Sequence, residues 1–143
     1  MKEVDFFKQI VRSLLTGQLK AAADPHRPRW HLAAPVGLLN DPNGFIEHDG
    51  RYHLFYQWNP LGCEHSNKGW GHVTSTDLLH WQHEPVALLP TEAYESHGCY
   101  SGSAVSDEQG RLTLVYTGNV KYPDGSRTAF QCLARDDGRG GFA

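Results

Sequence analysis

The chain has 143 residues, enough for one ordinary domain that buries about 68% of the surface its unfolded form exposes. Charged residues make up 20% and the formal net charge is -3, so the basic field that drives binding to nucleic acid or anionic lipid is absent and neither partner is expected. No apolar stretch approaches the roughly 18 residues needed to cross a bilayer, and Lys2, Glu3, Asp5, Lys8 and Arg12 interrupt any secretory apolar core.

From the start of the chain, Val4, Phe7, Val11, Leu14 and Leu15 recur at spacings of three and four, which predicts one amphipathic helix over residues 4–20. Gly17 weakens its last turn, and Pro25 and Pro28 forbid a long continuation. Residues 1–27 are therefore expected to be a helix and linker that cap the main domain, and residues 28–143 an incomplete β domain.

Beyond Trp30 the sequence breaks into short β-like runs: Gly44 to His48, Tyr52 to Gln57, Trp70 to Ser75, Val86 to Leu89, Tyr100 to Val105, Leu112 to Tyr116 and Thr128 to Ala134. Asp49-Gly50 joins the first two as a hairpin, Glu108-Gln109-Gly110 joins the fifth and sixth, and Pro123-Asp124-Gly125 precedes the seventh. The predicted class is all-β and antiparallel. A Gly-initiated strand, a turn and an aromatic-rich strand occur at Gly44 to Gln57 and again at Gly102 to Thr117, the signature of a repeated four-stranded propeller blade. One blade and most of a second are present, too few to close a ring, so truncation is expected.

Asp41 offers the clearest chemistry. Pro42 pushes its backbone into the extended region and fixes the segment that carries the carboxylate, while Asn40 and Asn43 bring amides to either side. On composition alone, Asn40 to Gly44 reads as a turn entering a strand. The neighbouring runs share one unusual character, polar groups inside aromatic strands. In Phe55 to Asn59, alternation sends Tyr56 and Trp58 to one face and Gln57 and Asn59 to the other, so Gln57 is expected beside Asp41.

Cys63, Cys99 and Cys132 are odd in number and widely spaced, so no disulfide framework is indicated, and free thiols favour the cytoplasm. The nine histidines match no metal-ligand spacing, and neither a metal nor a cofactor is expected. Gly98 to Gly102 is Gly-x-x-Ser-Gly, which is not the nucleophile elbow of a serine hydrolase.

Taken together, these runs resemble glycoside hydrolase family 32, the invertases, sucrose-6-phosphate hydrolases and fructanases, from about Pro28 to the end of the chain. The resemblance rests on Asn40-Asp41-Pro42-Asn43-Gly44, Phe55-Tyr56-Gln57, Trp70-Gly71-His72 followed by Ser75, Asp77, Leu78 and Trp81, and Ser101-Gly102-Ser103 with Tyr100 in place of the usual Phe. It implies a five-bladed β-propeller with an axial active site, a sugar substrate such as sucrose or sucrose 6-phosphate, and Asp41 as the catalytic nucleophile of a retaining β-fructofuranosidase. Asn40, Gln57, Trp70, Tyr100 and Ser101 are the implied substrate-binding residues, and His65 is added to them for its own donor chemistry.

Two further family elements, an Asp in an Arg-Asp-Pro run and a Glu beside a Cys, are not found. Arg135-Asp136-Asp137 lacks the Pro and is rejected for the first. The isolated chain is therefore expected to be inactive. Fructosyl transfer and a non-catalytic carbohydrate-binding module are the competing readings. His65 stands where many members have a Trp, and with Lys68 it could donate to a phosphorylated sugar at the entrance.

Overall fold

In the computed structural model, residues 2–28 and 31–143 are described, with side chains from Asp5 onward. One helix, α1 (Lys2–Ala22), precedes seven strands: β1 (Leu38–His48), β2 (Arg51–Asn59), β3 (Gly69–Ser75), β4 (Gln82–His83), β5 (Cys99–Ser106), β6 (Leu112–Lys121) and β7 (Arg127–Arg135). They form an antiparallel four-stranded sheet in the order β1-β2-β3-β4 and an antiparallel three-stranded sheet in the order β5-β6-β7. These are two successive propeller blades, as the repeat in the sequence implies.

The hairpins form where turn chemistry places them. Asp49 and Gly50 both take positive φ, 49° and 74°, the conformation that matches the twist of two directly joined strands. Gly110 and Gly125, at φ 76° and 84°, close the β5–β6 and β6–β7 turns.

The first blade is buried on both faces, which is why every residue of β3 is buried. One face carries Tyr56, Trp58 and Val73, packed under Ile10 of α1. The other carries Phe55 and Trp70, which meet Leu112, Leu114, Tyr116 and Cys132 of the second blade. Alternation along β2 thus splits Tyr56 and Trp58 from Gln57 as predicted.

The helix is longer than expected and rotated. Its buried side consists of Ile10 with Phe6 and Leu14; of the predicted stripe only Leu14 packs there among the described side chains, whereas Phe7, Val11 and Leu15 are exposed, and Val4 lies outside the described side chains. The sequence holds two adjacent apolar stripes, and Gly17 selects between them. A Cβ at Gly17 would stand 2.8 Å from Val36 Cγ1, so the helix approaches the segment leading into β1 on its glycine side. Ser13 fixes the same rotation by donating to the Pro60 carbonyl at 2.7 Å.

The predicted strand Val86 to Leu89 is also corrected. The fourth strand is Gln82–His83, and Leu88 makes only an isolated bridge to Trp70. Pro85 and Pro90, which have no N–H, bracket the segment and prevent a ladder from extending through it.

Between the blades lies a cavity of about 180 Å³ bordered by Arg51, His53, His72, Glu84, Asp136 and Phe142. His53 Nδ1 and His72 Nε2 are 3.0 Å apart, and His72 stacks on Phe55 at 4.3 Å between ring centroids. Burial, then the proximity of His53 and Arg51, pulls the His72 pKa down to about 3. The folded protein therefore holds His72 neutral while the unfolded chain takes up a proton near pH 6.5, so stability falls as pH drops from about 6.5 toward 3. His72→Phe should flatten this part of a stability-versus-pH curve measured by urea unfolding. His53, whose pKa burial also lowers, leaves a residual slope.

Candidate active site

Asp41 occupies a bulge. Between the pairs Leu39↔Trp58 and Pro42↔Tyr56, β1 has one more residue than β2, and the surplus falls on Asn40 and Asp41. The equivalent strand of the second blade repeats the device: between Tyr100↔Thr117 and Ser103↔Val115, β5 gains a residue at Ser101 and Gly102. A bulge breaks the ladder locally and re-aims a side chain. Because β1 and β5 lie against each other, the two bulges meet. Gly44, at φ 52°, makes this approach possible, since a Cβ there would come within 3.1 Å of the Ala104 side chain.

At the junction, Ser101 Oγ donates to Asp41 Oδ2 at 2.8 Å. This bond is the main influence holding the exposed Asp41 carboxyl below its ordinary value, with Asn40, Lys68 and His65 acting the same way against partial desolvation. Asp41 is consequently an anion at neutral pH. A hydrogen bond to the charged form favours it, so Ser101→Ala should move the Asp41 pKa upward toward 3.8. A carboxyl-carbon NMR titration reads this directly; an unchanged or lower value would contradict the assignment of cause.

Gln57 braces the site from below. It is 1% exposed, its Nε2 donates to the Cys99 carbonyl at 3.0 Å, and its Oε1 accepts from Asn40 Nδ2 at 3.4 Å. Asn40 Oδ1, on the other side of that amide, is buried with no partner among the described residues. Asn43 is only 4% exposed, so its amide is not offered at the surface beside Asp41 as the sequence suggested.

Trp70 differs most from expectation. It is 0% exposed, and its Nε1 donates to the Tyr100 carbonyl at 3.2 Å. Its indole offers no face to a ligand and instead ties β3 to the strand carrying Tyr100 and Ser101. The large apolar ring goes to the interface between blades, where its burial is worth most.

Tyr100 is half-buried, with Lys68 Nζ 5.3 Å from its ring centroid. His65 is exposed on the connection between β2 and β3. Asn40, Asp41, Gln57, Ser101 and Tyr100 thus gather at one junction, with His65 and Lys68 near enough to act on Asp41. Cys99 is the participant that sequence reasoning missed. Its N–H donates to the Lys68 carbonyl at 2.8 Å while its carbonyl holds Gln57, and backbone roles of this kind leave no mark on residue type.

Adjacent antiparallel blades with the ionised Asp41 carboxylate set between the Asn40 amide and the Ser101 hydroxyl define a partial β-propeller with a polar junction between its blades. A model of the glycosyl hydrolases family 32 N-terminal domain matches residues 31–142, and the chain belongs to that family. It is 63% identical over 133 residues to a sucrose-6-phosphate hydrolase of Klebsiella pneumoniae and 62% identical to one of Salmonella typhimurium, in each case over 93% of this chain and 28% of the relative. Among solved structures, sucrose-6-phosphate hydrolase from Lactobacillus gasseri superposes with a TM-score of 0.85 at 40% identity, over 93% of this chain and 27% of that one. A mutant of the Bombyx mori β-fructofuranosidase BmSUC1 in complex with sucrose superposes at 0.81 and 35% identity, over 95% of this chain and 28% of that one. The chain therefore spans between a quarter and a third of the length of these relatives.

Proposed function

We propose that this chain supplies the nucleophile side of a retaining β-fructofuranosidase that cleaves sucrose or sucrose 6-phosphate, with Asp41 as the nucleophile. The observation that carries this reading is the Ser101 hydroxyl donating at 2.8 Å to an exposed, ionised Asp41 on the bulge where two blades meet. Asn40 and Tyr100 border the sugar, Gln57 positions Asn40, and Trp70 supports Tyr100 from within.

In the first half of the reaction, an Asp41 oxygen bonds to the anomeric carbon of the fructosyl unit while the bond to the leaving oxygen breaks. That oxygen takes a proton from a second carboxyl group. Water then attacks the same carbon, returns its proton to the second carboxylate and frees Asp41. Such pairs stand about 5 to 5.5 Å apart. The second group belongs to the part of the family fold that this chain does not span. The three free thiols support a cytoplasmic setting.

The test uses a hybrid in which this chain replaces the matching segment of the Klebsiella pneumoniae relative, to which it is 63% identical. NMR of fructose at the first moments of sucrose cleavage should show the β-furanose first, before mutarotation. Initial release of the α form, or no cleavage, would overturn the proposal.

A further inference from the structure

The connection between β2 and β3 is more ordered by its contacts than a surface loop needs to be. Asn59, 1% exposed, organises it from inside: its Nδ2 donates to the Glu64 carbonyl at 2.9 Å, and its Oδ1 accepts from the Leu61 N–H at 3.0 Å. Lys68 ends the connection, and its carbonyl is fixed by the Cys99 N–H at the first residue of β5. A Cβ at Gly98 would stand 3.2 Å from Lys68 Cβ, so the lysine stem lies directly against the start of that strand. Its ammonium lies over the Tyr100 ring at 5.3 Å from the centroid, and its charge acts on the carboxylate that Ser101 holds.

Among the described residues, Lys68 forms no salt bridge, although acidic residues are abundant in the chain. An ammonium set on an aromatic face, with Asp41 near but no carboxylate within salt-bridge distance among the described residues, is a prepared contact for an anionic group. The position argues for an anion on the substrate. Lys68 and His65 both lie near enough to Asp41 to act on its charge, so a substrate held at Asp41 comes within reach of both nitrogen donors. His65, exposed on the same connection, adds a second nitrogen donor. A compact dianion with several acceptor oxygens suits Lys and His donors together better than a neutral hydroxymethyl group does.

We infer that Lys68, assisted by His65, is a specificity-determining contact for a phosphate carried on the leaving sugar, so that the site favours a phosphorylated disaccharide over the neutral one. This rests on Asp41 as the nucleophile. In the hybrid enzyme, kcat/KM is measured for sucrose 6-phosphate and for sucrose, and the ratio of the two is the readout. Lys68→Ala should lower the ratio about tenfold or more, the size expected for losing one charge-assisted hydrogen bond. Lys68→Arg should restore most of it, and His65→Ala should lower it less. If Lys68 merely tuned the charge of Asp41, both substrates would change together, and a ratio unchanged within about twofold overturns the inference.

Product binding by calorimetry supplies a readout without turnover. Glucose 6-phosphate should bind more tightly than glucose or inorganic phosphate, and Lys68→Ala should abolish the difference. Equal binding of glucose and glucose 6-phosphate, or of inorganic phosphate and glucose 6-phosphate, overturns the contact even in an inactive hybrid. An inactive hybrid that still binds glucose 6-phosphate through Lys68 upholds the contact and overturns the nucleophile assignment.

Discussion

Asp41→Asn in the hybrid enzyme should lower kcat about a thousandfold or more while sucrose binding persists. The amide preserves the size of the side chain and can still accept from Ser101 Oγ, so the 2.8 Å contact and the bulge that carries it remain. Only the negative charge and the nucleophilic oxygen are lost. Without them no covalent glycosyl-enzyme forms, and the route cannot proceed in two steps. KM for sucrose should change far less than kcat, because Asn40 and Tyr100 are untouched. An unfolding midpoint close to that of the parent would show that the loss is chemical, since Asp41 is exposed and contributes little to packing. Activity within tenfold of the parent would remove Asp41 from the role.

The contrast between Asp41 and Trp70 shows what the sequence could and could not specify. Local rules found the hairpins, because Asp49-Gly50 and Gly125 have few alternatives to the conformations they adopt. Period-two alternation correctly separated Tyr56 and Trp58 from Gln57, since the geometry of a strand allows little else. The two bulges were not legible. A bulge is a mismatch between two strands, and it appears only when β1 is aligned against β2 and β5 against β6. For the same reason β1 begins at Leu38, well before the Gly44 suggested by composition.

The helix failed differently. Phe6, Ile10 and Leu14 compete with Phe7, Val11 and Leu15 for the buried side, and the approach of Val36 to Gly17 together with the Ser13 bond to the Pro60 carbonyl decides between them. Both contacts join residues far apart in the chain and are invisible to a local period. Trp70 was expected at the substrate because the resemblance to the family implied it through the Trp70-Gly71-His72 motif. Its burial follows from the second blade, which covers the face of β3 from which the indole projects.

Trp70→Ala should therefore act on stability first and on the site second. The indole is fully buried between the blades, with ring centroids 6.0 Å from Phe55 and 6.2 Å from Tyr116. Truncating a buried aromatic of this size costs about 3 to 5 kcal/mol, a large part of the total stability of a small domain. The variant should show a markedly lower urea midpoint. Trp70→Phe separates the two contributions, since it keeps most of the apolar volume but leaves the Tyr100 carbonyl without its 3.2 Å donor. That loss should cost about 1 to 3 kcal/mol. It should also loosen the strand that presents Ser101 to Asp41, so in the hybrid enzyme the Phe variant should lose activity at temperatures where it remains folded. Full activity and full stability in Trp70→Phe would mean that the bond from Nε1 to Tyr100 supports neither the blade junction nor the site, and that the junction is held by the apolar contacts of Phe55, Leu114 and Tyr116 alone.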